Sequence, residues 1–231
     1  MTTLHYIFDP LCGWCYGAEP LISAARTIPG LTIALHSGGM MAGANRHAVT
    51  SQLRDYVMGH DKRIAQMTGQ PFGDGYFNGL LRDTSAILDS APPTTAILAA
   101  EELAGKGLDM LHRLQRAHYV EGRRIAETTV LFELAKELEI NAAAFAEAFD
   151  RLSGAPTVQH FNESRIRLTQ AGGQGYPTLV LERADGTLER LDISGWLGRA
   201  AEWTDHLRLR TADKTHAEAA SDGAFCGIDG C

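Results

Sequence analysis

The chain has 231 residues, 45% of them hydrophobic, and a formal net charge of −7 at pH 7. This length and composition are enough to bury a sizeable core, which predicts a globular enzyme built as one large domain or as a domain with an insertion. The 21 basic residues are spread along the chain and form no basic stripe, so we expect no nucleic-acid partner.

The N-terminal residues lack the features of an export signal. They contain no basic segment, no long apolar segment and no small-residue cleavage site, and no apolar run reaches the ~18 residues that span a bilayer. We therefore expect a cytoplasmic protein without a membrane partner. A reducing compartment disfavours permanent disulfides, so the placement of the four cysteines, at 12, 15, 226 and 231, is informative.

The first forty residues predict a strand, a Cys-x-x-Cys motif, a helix and a second strand. Residues 4–8 are apolar and aromatic, and this predicted strand ends at Asp9-Pro10. Cys12-Gly13-Trp14-Cys15 follows directly. Helical spacing then extends over residues 15–27, and residues 31–35 alternate as a strand does.

Helical periodicity dominates the middle of the chain, and a hairpin signal follows it. We predict six helices, near residues 49–67, 94–103, 108–120, 127–138, 142–149 and 157–169. Residues 69–79 are predicted to form a loop with aromatic anchors. Residues 178–183 and 187–193 flank Asp185-Gly186, which favours a β-hairpin turn. A closing helix over residues 196–209 and a mobile polar tail complete the prediction of an α/β sheet with an insertion.

A Cys-x-x-Cys motif at the start of a helix has a definite chemical consequence. The first sulfur lies beside unpaired backbone N–H groups and the positive end of the helix dipole, which favour the thiolate. Cys12 is therefore the candidate nucleophile. Cys15, one turn further along, is near enough to attack a mixed disulfide at Cys12 and release the substrate.

Two other interpretations of Cys12 and Cys15 remain open. They could form half of a zinc site, although the only other cysteines, Cys226 and Cys231, lack the two-residue spacing of a zinc knuckle. They could also be two unreactive thiols. The strand before the pair and the helix after it favour the redox interpretation over both.

The motif and a second segment together resemble a known family. Residues 9–17, which hold the cysteine pair, and Gly175-Tyr176-Pro177-Thr178 before a later strand resemble the DsbA-like branch of the thioredoxin superfamily. Within that branch, the cytoplasmic FrnE-like, predicted disulfide-isomerase group is most similar. The resemblance covers about residues 3–205 and implies an α/β thioredoxin-like fold with a helical insertion. The domain would be residues 1–45 and 155–210, the insertion residues 46–154, and the flexible tail residues 211–231.

The resemblance also implies roles for individual residues. Pro177 should follow a cis peptide bond and pack opposite Cys12 and Cys15, and the backbone of Tyr176 should pair with an extended substrate. Tyr176, Pro177 and Trp14 are the expected substrate-binding residues. Trp14 stands where strongly oxidising members carry His, and an indole cannot supply a cation to hold a thiolate, so we expect a reductase or an isomerase.

The C-terminal cysteines form a second candidate centre. FrnE-like proteins are similar in carrying a C-terminal Cys-x-x-x-x-Cys pair, so Cys226 and Cys231 could exchange electrons with the first centre. A pair of exposed thiols in a frayed end, or transient binding of a soft metal, are the alternatives.

Together these observations predict a thiol–disulfide oxidoreductase acting on protein or peptide thiols and disulfides. No organic cofactor or metal is expected, and glutathione or a thioredoxin-system reductant is the candidate redox partner. One alternative is a glutathione-dependent transferase or hydroxychromene-carboxylate isomerase, which typically uses a single Ser or Cys, so that Cys15 argues against it. The other is a non-catalytic metal-binding module. Glu19 is either a proton relay to Cys15 or a plain surface glutamate.

Overall fold

The computed structural model of the chain describes residues 2–211 and has an α/β architecture, as predicted. In chain order the strands and helices are β1 (Thr2–Phe8), α1 (Gly13–Ala25), β2 (Leu31–Ser37), β3 (His47–Ala48), α2 (Ser51–Thr68), β4 (Ile87–Leu88), α3 (Ala91–Ala104), α4 (Gly107–Tyr119), α5 (Thr128–Glu137), α6 (Ala142–Leu152), α7 (Ala155–Gln170), β5 (Thr178–Glu182), β6 (Leu188–Leu191) and α8 (Ala200–Thr211).

The central sheet brings the two ends of the described chain together. Its strand order is β2, β1, β5, β6, with β1 parallel to β2 and antiparallel to β5. The β5 and β6 strands pair antiparallel around the predicted Asp185-Gly186 turn. Because β5 lies beside β1, the segment that precedes β5 lies close to the segment that follows β1. That juxtaposition positions the candidate site.

Helix α1 is held to the sheet and to α8 by buried polar contacts. Tyr6 on β1 donates its hydroxyl hydrogen to the carbonyl of Cys15 at 3.1 Å. Trp203 on α8 is fully buried, and its indole N–H donates to the carbonyl of Leu21 at 3.1 Å. Helix α1, whose first turn carries the two cysteines, is therefore held from two sides.

A proline inside α1 is compensated by a side chain from the segment after α2. Pro20 has no N–H, so it cannot donate to the carbonyl of Tyr16 four residues earlier. The amide nitrogen of Gln70 donates to that carbonyl instead, at 3.0 Å, and the Tyr16 hydroxyl donates to the carbonyl of Pro71 at 2.8 Å. The proline thus leaves the Tyr16 carbonyl available to Gln70. Their hydrogen bond joins α1 to the inserted block, by which we mean the elements from β3 to α6.

The inserted block differs in detail from the sequence expectation. Residues 69–79 were expected to be a loop, but they include a π-helical turn at Gly75–Gly79, and the short β3–β4 ladder interrupts the helical series. The closing helix begins at Ala200 rather than at residue 196, because Ser194–Trp196 forms a separate 3₁₀ turn. None of the described helices is both long and apolar enough to cross a membrane. The division into a domain of residues 1–45 and 155–210 and an insertion stays a prediction.

Replacing Trp203 should loosen α8 from α1. Trp203→Ala removes a fully buried indole and leaves the Leu21 carbonyl without its donor, so the free energy of unfolding should fall by about 3–5 kcal/mol in urea titrations. Leu209→Ala on the same helix is the control, because Leu209 is 82% exposed and its loss should change stability by less than ~0.5 kcal/mol. Equal effects of the two substitutions would contradict the packing described here.

Candidate active site

Cys12 and Cys15 lie at the first turn of α1, where the sequence predicted them. Strand β1 ends at Phe8, a turn brings the N–H of Cys12 to 3.1 Å from the carbonyl of Asp9, and Cys12 then caps the helix. The first helical hydrogen bond runs from Tyr16 N–H to the Cys12 carbonyl at 3.1 Å. Both cysteines are free thiols.

The two sulfurs have different surroundings. Cys12 keeps an exposed fraction of 7%, while Cys15 has none. Burial raises the pKa of the Cys15 thiol well above its ordinary value, and the neighbouring Cys12 raises it further. Cys12 is therefore the sulfur that a reagent can reach, and Cys15 is the one that keeps its proton.

The segment before β5 lies across from Cys12. The Tyr176–Pro177 peptide bond is cis, as the family resemblance implied. The Cys12 thiol donates to the carbonyl of Tyr176, with 3.5 Å between the sulfur and the oxygen. The Tyr176 ring occupies the space that a Cβ atom at position 38 would need, so only glycine fits at Gly38.

A buried carboxylate organises the loops around the cysteine pair. Asp9 is fully buried, and one of its oxygens accepts the N–H of Leu11 and the hydroxyl of Ser90, both at 2.9 Å. The other oxygen accepts the N–H of Met40 at 2.6 Å. Burial raises the pKa of the Asp9 carboxyl to about 6, although these three donors and the charge of Arg165 lower it. Asp9 therefore joins the turn before Cys12 to two other parts of the chain.

A second buried carboxylate lies against the motif from the inserted block. Asp61 on α2 is 4% exposed, and its Oδ2 accepts the hydroxyl hydrogen of Tyr76 at 2.8 Å. Its Oδ1 would be only 2.6 Å from a Cβ atom built on Gly13. Burial raises the pKa of the Asp61 carboxyl to about 6, while the Tyr76 hydrogen bond and His60 lower it. The glycine of the Cys-Gly-Trp-Cys motif thus makes room for this carboxylate.

A groove of about 630 Å³ opens beside the motif. It is lined by aromatic and aliphatic side chains together with three exposed charged residues, Arg63, Arg190 and Asp192. Trp14, Tyr176 and Pro177 all belong to the lining. Because the Tyr176 carbonyl also accepts the Cys12 hydrogen bond, one lining residue of the groove lies 3.5 Å from the Cys12 sulfur. Clefts that combine an apolar wall with a few charged groups are typical binding sites for small peptides.

Other candidates from the sequence lie elsewhere. Cys226 and Cys231 fall outside the described residues, so the second redox pair stays a prediction. The Glu19 carboxylate accepts hydrogen bonds from the Ser23 hydroxyl at 2.6 Å and from the Gln70 amide at 3.1 Å. These contacts explain the position of the Glu19 side chain, and a proton relay to Cys15 stays a prediction. Within residues 2–211, no cluster of three or more His, Cys, Asp or Glu side chains could hold a metal ion.

The sequence patterns did not identify the buried carboxylates of Asp9 and Asp61 or the groove arginines, Arg63 and Arg190. Asp9 was interpreted only as a turn residue, although an acidic residue three positions before a Cys-x-x-Cys motif was an available signal. Asp61 lies on the same helical face as Ile64 and Thr68, which are both buried. An aspartate at that spacing on a buried face was the available signal.

A family model and several solved structures agree with this geometry. The family model described as DSBA-like thioredoxin domain matches residues 3–198. The structure of a cytosolic disulfide reductase, DsbM from Pseudomonas aeruginosa, is 57% identical, covers 90% of this chain and 98% of its own, and has a TM-score of 0.85. The structure of DsbM with GSH is 55% identical at the same coverage, with a TM-score of 0.84.

A more distant structure has the same fold. A proposed protein disulfide isomerase from Nitrosomonas europaea is 25% identical, with a TM-score of 0.72, and the match covers 96% of this chain and 99% of that one. The comparison with curated proteins finds no match.

The buried Asp9 should make stability depend on pH. Its carboxyl pKa is about 6 in the folded chain against 3.8 ordinarily, so the folded state binds more protons between these values and loses stability as the pH rises through them. Urea titrations at pH 4 and pH 7 measure this change. From pH 4 to pH 7 the free energy of unfolding of wild type should fall by up to about 3 kcal/mol relative to that of Asp9→Asn.

The control for this pH series is Asp185→Asn in the exposed hairpin turn. The backbone N–H of Thr187 lowers the pKa of the Asp185 carboxyl, so wild type should gain stability relative to that variant as the pH rises. Parallel pH profiles for wild type and Asp9→Asn would contradict the described environment of Asp9.

Proposed function

We propose that this chain reduces protein or peptide disulfides in the cytoplasm, with glutathione as the electron donor. The chain belongs to the DSBA-like thioredoxin domain family and is a thiol–disulfide oxidoreductase. The observation that carries the proposal is the pairing of Cys12, reachable at the end of a groove, with a wholly buried Cys15. The similar cytosolic reductase supports the direction and the compartment.

In the proposed cycle Cys12 attacks and Cys15 resolves. The Cys12 thiolate attacks one sulfur of the substrate disulfide, and the other substrate sulfur leaves as a thiolate and takes up a proton. Cys15 then loses its proton and attacks the Cys12 sulfur of the mixed disulfide. This step forms the Cys12–Cys15 disulfide and releases the second substrate thiol, so the substrate gains two electrons and two protons in all.

Glutathione would return the pair to the dithiol. One glutathione thiolate attacks the Cys12–Cys15 disulfide, and a second attacks the resulting mixed disulfide, so that two glutathione molecules leave as one glutathione disulfide. The burial of Cys15 supports its role as the resolving thiol, because a thiol that keeps its proton does not compete for substrate.

The charged residues of the groove support glutathione as the donor. Glutathione at neutral pH carries two carboxylates and one ammonium group, and the groove presents two arginines and one aspartate, Arg63, Arg190 and Asp192. Arg190 is partly fixed, because it donates to the carbonyl of Gly172 at 2.6 Å. We propose that the arginines bind the carboxylates while Tyr176 and Pro177 flank the cysteinyl part beside Cys12.

Single substitutions of the two cysteines test the cycle. Cys12→Ser should lose insulin reduction with glutathione down to the rate without protein, because the attacking sulfur is gone. Cys15→Ser should stop after the first step and accumulate a mixed disulfide at Cys12, visible as a mass increase that dithiothreitol removes. The Cys226→Ser/Cys231→Ser double variant is the control that measures any contribution of the C-terminal pair.

Two outcomes of that experiment would contradict the proposal. Insulin reduction that survives Cys12→Ser would exclude Cys12 as the attacking group. Full turnover by Cys15→Ser, together with conjugation of glutathione to an electrophile, would favour a glutathione transferase instead.

Substitution of the arginines tests the glutathione site. Arg63→Ala and Arg190→Ala should each raise the glutathione concentration needed for half-maximal turnover about 3- to 10-fold, equivalent to about 0.7–1.4 kcal/mol of binding free energy. Arg199→Ala is the matched control, since Arg199 is exposed and lies outside the groove lining. Unchanged glutathione dependence in both groove variants would exclude this site.

A further inference from the structure

Asp61 lies against the start of α1, although it belongs to the inserted block. A Cβ atom at Gly13 would come within 2.6 Å of its Oδ1, so the carboxylate occupies the space beside the residue directly after Cys12. Tyr76 holds the other oxygen at 2.8 Å. Within residues 2–211, no described hydrogen bond reaches Oδ1, and no Lys or Arg side chain forms an ion pair with the carboxylate.

A thiolate at Cys12 would share one helix N-terminus with the Asp61 carboxylate. The unpaired N–H groups and the helix dipole at the start of α1 favour negative charge there. Gly13 is the first residue of that helix and Cys12 is its cap. When both groups are ionised, each therefore makes the negative charge of the other less favourable.

The groups around Asp61 do not neutralise it. Tyr76 from the π-helical turn donates one hydrogen bond, and His60 is the adjacent titratable residue on α2. The phenol of Tyr119, on α4, interacts electrostatically with Asp61 and with the two cysteines. Burial raises its pKa well above the ordinary value, and Tyr76, Asp61, Cys12 and Cys15 raise it further.

His118, also on α4, has its ring centroid 5.2 Å from that of Tyr76, and burial lowers the pKa of His118 to about 3. His118 is therefore neutral near pH 7.

We propose that the ionised Asp61 carboxylate, positioned by Tyr76 against Gly13, lowers the thiolate fraction of Cys12 and thereby makes the cysteine pair a stronger reductant. The proposal rests on the proposed function of the Cys12–Cys15 pair and makes Asp61 a positioning residue for it.

The direction follows from the balance of the redox step. Two electrons convert the Cys12–Cys15 disulfide into the dithiol, with one proton at Cys15 and a second proton at Cys12 whenever that sulfur is not a thiolate. A neighbouring negative charge destabilises the thiolate but leaves the uncharged disulfide nearly unaffected. The reduced form then gives up its electrons more readily, which suits a reductase.

The influence of Asp61 on the reactivity of Cys12 should appear only at pH values where the Asp61 carboxyl is ionised. The pKa of the Asp61 carboxyl is raised to about 6 by burial, so the residue is neutral at pH 5 and charged at pH 7.5. Wild type and Asp61→Asn should therefore behave alike at pH 5 and differ at pH 7.5.

The test is the rate of alkylation of reduced Cys12 by iodoacetamide across pH 5–9, followed by mass spectrometry. At pH 7.5 we expect Asp61→Asn to react about 3- to 10-fold faster than wild type, and the reduction potential of its pair to rise by up to about 30 mV, the equivalent of tenfold. Asn keeps the shape of Asp61 and can still accept the Tyr76 hydrogen bond.

Two further variants keep the test specific. Asp55→Asn removes an exposed carboxylate from the same helix and should leave the alkylation rate and the potential unchanged. Tyr76→Phe keeps the charge of Asp61 but removes its donor, so the pH at which the variant departs from the Asp61→Asn curve should move upward.

The possible outcomes separate this inference from the proposed function. Alkylation rates and potentials that are the same for wild type and Asp61→Asn at pH 7.5, or a lower potential in the variant, would overturn the inference while wild-type insulin reduction still supports the function. A wild type that fails to reduce insulin would contradict the function, whereas the alkylation difference would still report on Asp61.

Discussion

The Asp9 carboxylate joins the three segments that meet at the cysteine pair. It accepts hydrogen bonds from the turn before Cys12, from the loop after β2 at Met40, and from Ser90 just before α3. A fully buried carboxylate is stable only when donors surround it, so these three segments cannot separate without exposing it or leaving it unpaired. Asp9 therefore helps to fix the position of Cys12 relative to the inserted block, together with the hydrogen bond from Gln70 to the Tyr16 carbonyl.

That arrangement explains how an insertion can affect the chemistry of a thioredoxin-like centre. The sheet supplies β1 and the Tyr176–Pro177 segment, which place Cys12 opposite the groove. The inserted block supplies Asp61 and Ile64, which lie against Gly13. Trp14 contributes no cation to the site, and two buried carboxylates, Asp9 and Asp61, lie beside the motif. An uncharged indole and buried carboxylates provide no positive charge that would stabilise a thiolate, which agrees with a reductase better than with a strong oxidant.

Sequence reasoning was most successful where the signals are local. The strand before Cys12, the helix after Cys15 and the Asp185-Gly186 hairpin each depend on a few neighbouring residues, and the structure contains all three. The cis bond before Pro177 came from the family resemblance rather than from the residues themselves. The contacts of Asp9, Asp61 and Gln70 could not be predicted, because the fold alone brings each of them to its partner. These partners are Ser90, Gly13 and Tyr16, all distant in sequence.

The reduction potential of the Cys12–Cys15 pair, measured by equilibration with glutathione buffers at pH 7, tests the central claim most directly. A reductase or isomerase centre of the kind described should lie between the values of protein disulfide isomerase and thioredoxin, about −180 to −270 mV. A potential near that of the strong oxidant DsbA, about −120 mV, would contradict the account.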